Sequence, residues 1–122
     1  MKTVMVVDDS RIMRNIIKNT FERLNITADF IEAADGKQAL EQLMNTKVHL
    51  ILLDWNMPNL SGIDFLKLVR SMEKYRDIPI IMVTSEVTKL QVVEAVKAGA
   101  TAYITKPINN KILMEKLIKI TF

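Results

Sequence analysis

The chain is 122 residues long with no cysteine, and 17 lysines and arginines against 14 aspartates and glutamates give it a net charge of +3. That length suits one domain able to bury about two thirds of its unfolded surface, and the missing cysteine excludes disulfide staples, zinc–thiolate sites and a cysteine nucleophile. The small basic excess is not the concentrated basic face of a nucleic-acid binder, and with neither a signal peptide nor an apolar run near the roughly 20 residues of a membrane span, reducing cytoplasm is the expected setting.

Residues 3–7 read as a first strand. Ser10 caps a helix whose apolar residues Ile12, Met13, Ile16, Ile17, Phe21 and Leu24 recur at three-and-four spacing. A second strand is predicted over 26–31 and a second helix over 36–45, with Ala39, Leu40, Leu43 and Met44 inward. The run 48–53 is the candidate central strand, buried on both faces and bounded by Lys47 and Asp54. After a loop holding Pro58, Ser61 caps a third helix with Ile63, Phe65, Leu66 and Val69 on its apolar side. Residues 78–83 form a fourth strand, in which Pro79 is tolerable only near the start. A fourth helix over 88–98 is stopped by Gly99, a short fifth strand covers 101–104, and a last helix over 109–120 carries Ile112, Leu113, Leu117 and Ile120.

Five strand–helix units at regular spacing imply right-handed crossovers and an open parallel sheet with helices on both faces. The whole chain, 1–122, reads as one domain with no internal repeat and no attached output module. In such a sheet, function collects at the carboxyl ends of the strands. Those ends carry Asp8 and Asp9, Asp54, Thr84 with Ser85, and Lys106, each directly after an apolar run. Three carboxylates in one crevice repel each other, and a hard divalent cation such as Mg²⁺ relieves that repulsion. A carboxylate beside the ion can act as a nucleophile toward a phosphoryl group, and Lys106 and Thr84 are the donor types that stabilise charge on the transferred oxygens.

The set Asp8-Asp9, Asp54, Thr84 and Lys106-Pro107, at these spacings and in this strand order, resembles the receiver domain of two-component response regulators, in particular its single-domain chemotaxis members. The match runs from Val4 through Ser10, Asp54 through Gly62 and Pro79 through Thr84 to Lys106-Pro107. The resemblance implies a doubly wound, flavodoxin-like three-layer sandwich with strand order 2-1-3-4-5. It implies Asp54 as phosphoacceptor for a histidine kinase, Asp9 as a direct Mg²⁺ ligand, Asp8 acting largely through water, and Asn56 giving its backbone carbonyl. Lys106 then pairs with the phosphoryl oxygens across a cis Lys106-Pro107 bond, and Thr84 and Tyr103 move together as a switch. Asn56 and Glu86 match positions that tune dephosphorylation, which implies a short-lived signal. The activity is self-catalysed phosphotransfer and dephosphorylation in a signalling protein, not a conventional enzyme. Thr105 departs from the pattern in a slot that is commonly apolar, and Ser85 is small enough to leave access to Asp54.

The implied output surface includes Lys89, Tyr103 and Lys116, among a group of lysines, Lys89, Lys97, Lys106, Lys111, Lys116 and Lys119, on or near the last two helices and last strand. An acidic amphipathic peptide, such as one from a flagellar motor switch protein, suits that face, and the alternative reading is that these lysines only keep a small basic protein soluble. A phosphatase is a further possible partner. A phosphorelay intermediate and an unphosphorylated scaffold are the alternative functions. Among enzyme classes with this sheet, a flavin site is disfavoured by Asp8 and Asp9, and a dehalogenase-type phosphatase places its nucleophile after the first strand. His49 reads as structural, Trp55 as partly exposed, and Gly36, Gly62 and Gly99 as turn or cap glycines, because no phosphate-binding glycine loop is present.

Overall fold

Strand and helix alternate along the chain as the apolar periodicity requires. The computed structural model describes residues 1–85, 88–120 and 122. Its elements are β1 (Thr3–Val7), α1 (Arg11–Arg23), β2 (Asp29–Ala33), α2 (Gly36–Asn45), β3 (Leu50–Leu53), α3 (Gly62–Ser71), β4 (Ile80–Thr84), α4 (Lys89–Ala98), β5 (Ala102–Thr105) and α5 (Asn110–Leu117), with a single 3-10 turn at Glu73–Tyr75. A short polar side chain caps the start of each helix: Ser10, Asp35, Ser61, Thr88 and Asn109 each accept from the backbone N–H three residues on. All pairings are parallel and the order is β2-β1-β3-β4-β5, as the resemblance implied.

Because side chains alternate across a strand, the sheet divides its apolar residues between two layers. Met5, Val7, Ile51, Leu53, Ile80 and Met82 pack with Leu43, Phe65, Leu66, Val69 and Ala95 of α2, α3 and α4. Val4, Val6, Leu50, Leu52, Ile81 and Val83 pack with Ile17, Phe21, Leu113 and Leu117 of α1 and α5. The central strand β3 is buried on both faces, as its composition requires.

Some boundaries and facings differ from the sequence reading. The second strand begins at Asp29 rather than residue 26 because α1 ends in a Schellman turn. Asn25 sits in the left-handed region at φ 58°, its N–H donates to Glu22, and the N–H of Ile26 donates to the carbonyl of Phe21. Ile26 is thus consumed by the helix end. The third strand is shorter than 48–53: His49 instead accepts the Thr3 N–H on Nδ1 at 3.0 Å, a structural role. The fourth and fifth strands start later and run one residue further, to Thr84 and Thr105, and α5 is shorter at its end. Ile12 and Ile16 of α1 and Met44 of α2 face outward, at 74%, 41% and 64% exposure, so the apolar stripes of those helices are narrower than their sequences suggest.

Gly99 ends α4 in the left-handed region at φ 105°. Gly62 is needed for a different reason: a Cβ there would lie 1.8 Å from the carbonyl oxygen of Asp54, so the first turn of α3 can approach the end of β3 only without a side chain. Gly62→Ala is therefore expected to lower the unfolding free energy by ~3 kcal/mol in urea titration, and a change near zero would contradict this contact.

Candidate functional site

Each of the site residues Asp8, Asp54 and Lys106 stands one step past a strand and is pinned by a hydrogen bond to the next strand. The Asp8 N–H donates to Ala33, the Asp54 N–H to Val7 and the Lys106 N–H to Thr84, at 3.0, 2.9 and 2.9 Å. Strand register therefore brings together side chains far apart in sequence. Asp8 and Asp54 are 1% and 7% exposed, Thr84 is fully buried at the end of β4, and Asp9 is open to solvent.

The carboxylate oxygens of Asp8, Asp9 and Asp54 lie within 4.8 Å of one another. Lys106 bridges two of them, with Nζ 2.8 Å from Asp8 Oδ2 and 3.2 Å from Asp54 Oδ2. The remaining oxygens are partly committed: Asp8 Oδ1 accepts the Ser10 N–H at 2.9 Å, and Asp54 Oδ1 accepts the Trp55 N–H at 2.8 Å. Among the described residues no hydrogen bond or ion pair holds the Asp9 carboxylate, which leaves it free to bind.

Burial pushes the Asp54 carboxyl above its ordinary value, and the charge of Asp8 adds to that, against opposition from Lys106. For Lys106, burial works downward, but the hydrogen bond to Asp8 and the charges of Asp54 and Asp8 outweigh it, and the net shift is upward. The ammonium thus stays charged. The three acid groups offer hard oxygen donors, the set a divalent cation such as Mg²⁺ or Mn²⁺ takes, and the cluster can coordinate one.

The other residues singled out from the sequence are distributed around this centre. Lys106-Pro107 is cis. Asn56 and Ser85 are exposed beside the crevice, and Tyr103 is half-buried on the edge strand β5. Lys89 is exposed and Lys116 half-buried on α4 and α5, whereas Lys106 is drawn into the crevice and does not belong to a surface lysine patch. Glu86 lies outside the described residues. Trp55 is buried, at 9% exposure, and not partly exposed, because it joins the core shared with residues of α2, α3 and α4.

Residues that the sequence did not single out also shape the site. Asn59, at φ 67°, donates to the Asp35 carboxylate at 2.6 Å and ties the loop after β3 to the cap of α2. Arg14 reaches back from α1 to the carbonyl of Asp8 at 2.6 Å. A charged residue on an exposed helix start carries no sequence signal for such a contact.

The comparisons with known proteins agree with this geometry. A family model for the response regulator receiver domain matches residues 4–118. The chemotaxis protein CheY1 of Helicobacter pylori is 47% identical over 115 residues, covering 93% of this chain and 92% of that one. A CheY homolog of Campylobacter jejuni is 48% identical over 115 residues, covering 93% and 88%. The solved structure of Vibrio cholerae CheY4 superposes with a TM-score of 0.88 at 32% identity and covers 99% of both chains.

The raised Asp54 carboxyl has a consequence for stability. A group whose folded pKa is raised stabilises the fold fully only below its unfolded value, and that contribution is lost as pH rises through the folded value. At neutral pH the ionised Asp54 is a cost, which Asp54→Asn removes while keeping an oxygen for the Trp55 N–H. In EDTA, Asp54→Asn is expected to unfold at higher urea than the parent protein at pH ~7, with the difference closing toward pH ~4. A variant less stable than the parent at neutral pH contradicts the burial of a strained charge.

Proposed function

The chain belongs to the response regulator receiver family, and we propose that it acts as a stand-alone signalling protein of the chemotaxis type, switched by phosphorylation of Asp54. The observation that carries this reading is the buried Asp54 carboxylate set among Asp8, Asp9 and Lys106 at the carboxyl ends of β1, β3 and β5. The stand-alone role is supported by relatives named CheY that the chain matches over about nine tenths of their own length.

In this reading a histidine kinase presents its phosphohistidine at the crevice mouth, past exposed Asn56 and Ser85. An oxygen of Asp54 attacks phosphorus, the phosphorus–nitrogen bond breaks, and the imidazole leaves with the bonding pair. Asp9, Asp54 and the Asn56 carbonyl would hold Mg²⁺, with Asp8 acting largely through water, and the ion would supply positive charge against the transferred oxygens. Lys106 needs only a short shift from its place 3.2 Å from Asp54 to pair with a phosphoryl oxygen. Thr84, buried at the end of β4, supplies a hydroxyl on the same side.

Strand pairing supports the switch that the family resemblance implies. β4 and β5 run in register, with Met82 beside Tyr103 and Thr84 beside Thr105. A movement of Thr84 toward the phosphoryl group changes the space into which the half-buried Tyr103 ring can turn. Lys89, Tyr103 and Lys116 then form an output surface for an acidic amphipathic segment of a flagellar motor switch protein. Asn56 and Glu86 orient the hydrolytic water, which makes the phosphoryl state short-lived, and a separate phosphatase can shorten it further.

Acetyl phosphate with Mg²⁺ is expected to add one phosphoryl group to the protein, seen by intact mass, with none on Asp54→Ala and none in EDTA. The modified form is expected to decay within minutes, on the order of the rapid exchange a reversible signal needs. Modification retained in Asp54→Ala, or a phosphoryl lifetime of many hours, contradicts the reading.

A further inference from the structure

We infer that Arg14 is a positioning residue for the acidic pair, held to that task by Glu32 on the neighbouring edge strand. The inference rests on the proposed metal role of Asp9. Arg14 lies one turn into α1, and its side chain is only 15% exposed, so it is drawn back across the helix start instead of extending into water. Its Nη1–H donates to the backbone carbonyl of Asp8 at 2.6 Å, and its Nε–H donates to Glu32 Oε1 at 2.9 Å. Lys18, one turn further along the same face, donates to Glu32 Oε2 at 2.9 Å. Glu32 pairs in register with Val6, two residues before Asp8, so the network spans the end of β1 from the side of β2.

The backbone carbonyl is the one polar group of Asp8 that the strand ends leave open. Its N–H goes to Ala33, its Oδ1 takes the Ser10 N–H, and its Oδ2 takes Lys106. Arg14 closes the set. That carbonyl shares a rigid peptide plane with the N–H of Asp9. Fixing it places the Asp9 Cα and leaves only the φ of Asp9 to turn its exposed side chain, and no contact of the Asp9 carboxylate among the described residues holds it instead.

Glu32 explains why a guanidinium can sit here without spoiling the acidic crevice. An arginine free to turn would pair with Asp9 or Asp8 and oppose a bound cation. Glu32 occupies the Nε donor and matches the charge locally. The hydrogen bond from Lys18 holds its carboxyl below the usual range, against burial and with help from Arg14, so Glu32 stays ionised. Arginine is specific to this place, because a lysine carries the charge but not the fixed fork that reaches a carbonyl and a carboxylate at once.

The experiment compares Arg14→Lys, Arg14→Met and Glu32→Gln with the parent protein. Lys67→Met, which breaks the exposed Lys67–Glu94 pair at 3.4 Å far from the site, serves as control. Two quantities are read: the Mg²⁺ dissociation constant by calorimetry, and hydrogen exchange of the Ser10 amide in EDTA, since that N–H bonds to Asp8. Arg14→Lys is expected to weaken Mg²⁺ roughly tenfold, the size of effect seen when a group orienting a metal ligand is lost. Arg14→Met is expected to weaken it less, because removal of the charge partly offsets the lost positioning, and Glu32→Gln to weaken it in the same direction. Ser10 exchange is expected to quicken in all three and in none of the control protein. Tighter Mg²⁺ binding by Arg14→Met than by the parent would show that Arg14 acts only as a repelling charge, and overturns the inference. So does parent-like affinity with parent-like exchange in Arg14→Lys. If the parent protein binds no Mg²⁺, the metal reading of Asp9 fails, and Ser10 exchange alone decides whether Arg14 positions the pair: unchanged exchange overturns it.

Discussion

One ammonium group bridges two of three clustered carboxylates: Lys106 Nζ lies 2.8 Å from Asp8 and 3.2 Å from Asp54, with Asp9 completing the cluster. Two like charges ~4 Å apart repel by about 4 kcal/mol at an effective dielectric near 20, so this gathering is costly. One lysine cannot balance it. Three negative charges against one positive leave two in excess, the charge of a divalent cation. The crevice is thus poised to gain from a hard dication and from a phosphoryl group whose oxygens can take the lysine over. Burial first, and the charge of Asp8 after it, raise the Asp54 carboxyl, a cost that a site selected for stability alone would not contain.

The rest of the fold serves to hold that cost in place. Parallel register sets Asp8 and Asp54 side by side, since Val7 pairs with Leu53 and each aspartate follows directly. The helices close over the strand ends as far as backbone contact allows. Gly62 and Gly36 are each the first residue of a helix, and a Cβ at either would press on a carbonyl oxygen, that of Asp54 or that of Leu60.

Much of this was legible in the sequence because the signals were local. A buried strand ending in Asp, a capping serine after Asp8-Asp9, and Lys106 before a proline each mark a strand end, and the parallel topology follows from the alternation. What was not legible depended on tertiary partners. Asn25 in a left-handed turn moves the start of β2, and nothing in the segment 26–31 itself reveals it. Ile12, Ile16 and Met44 fit an inward stripe by spacing, but the sheet offers each helix only a narrow contact, and they stay outside. Trp55, next to Asp54, read as partly exposed, yet it joins the buried core. Arg14 and Glu32 read as ordinary helix and strand charges, and only the pairing of β1 with β2 makes them neighbours.

Trp55 follows Asp54 directly and gives its N–H to that carboxylate, so its fluorescence reports the state of the crevice. The most direct test is a titration of that fluorescence with Mg²⁺, followed by beryllofluoride, which mimics the phosphoryl group. A saturable response to Mg²⁺ and a second response that depends on the first, both altered in Asp54→Ala, is the result this account predicts. A protein silent to both, with its fold intact by circular dichroism, would contradict it and leave the acidic crevice without the chemistry its charge implies.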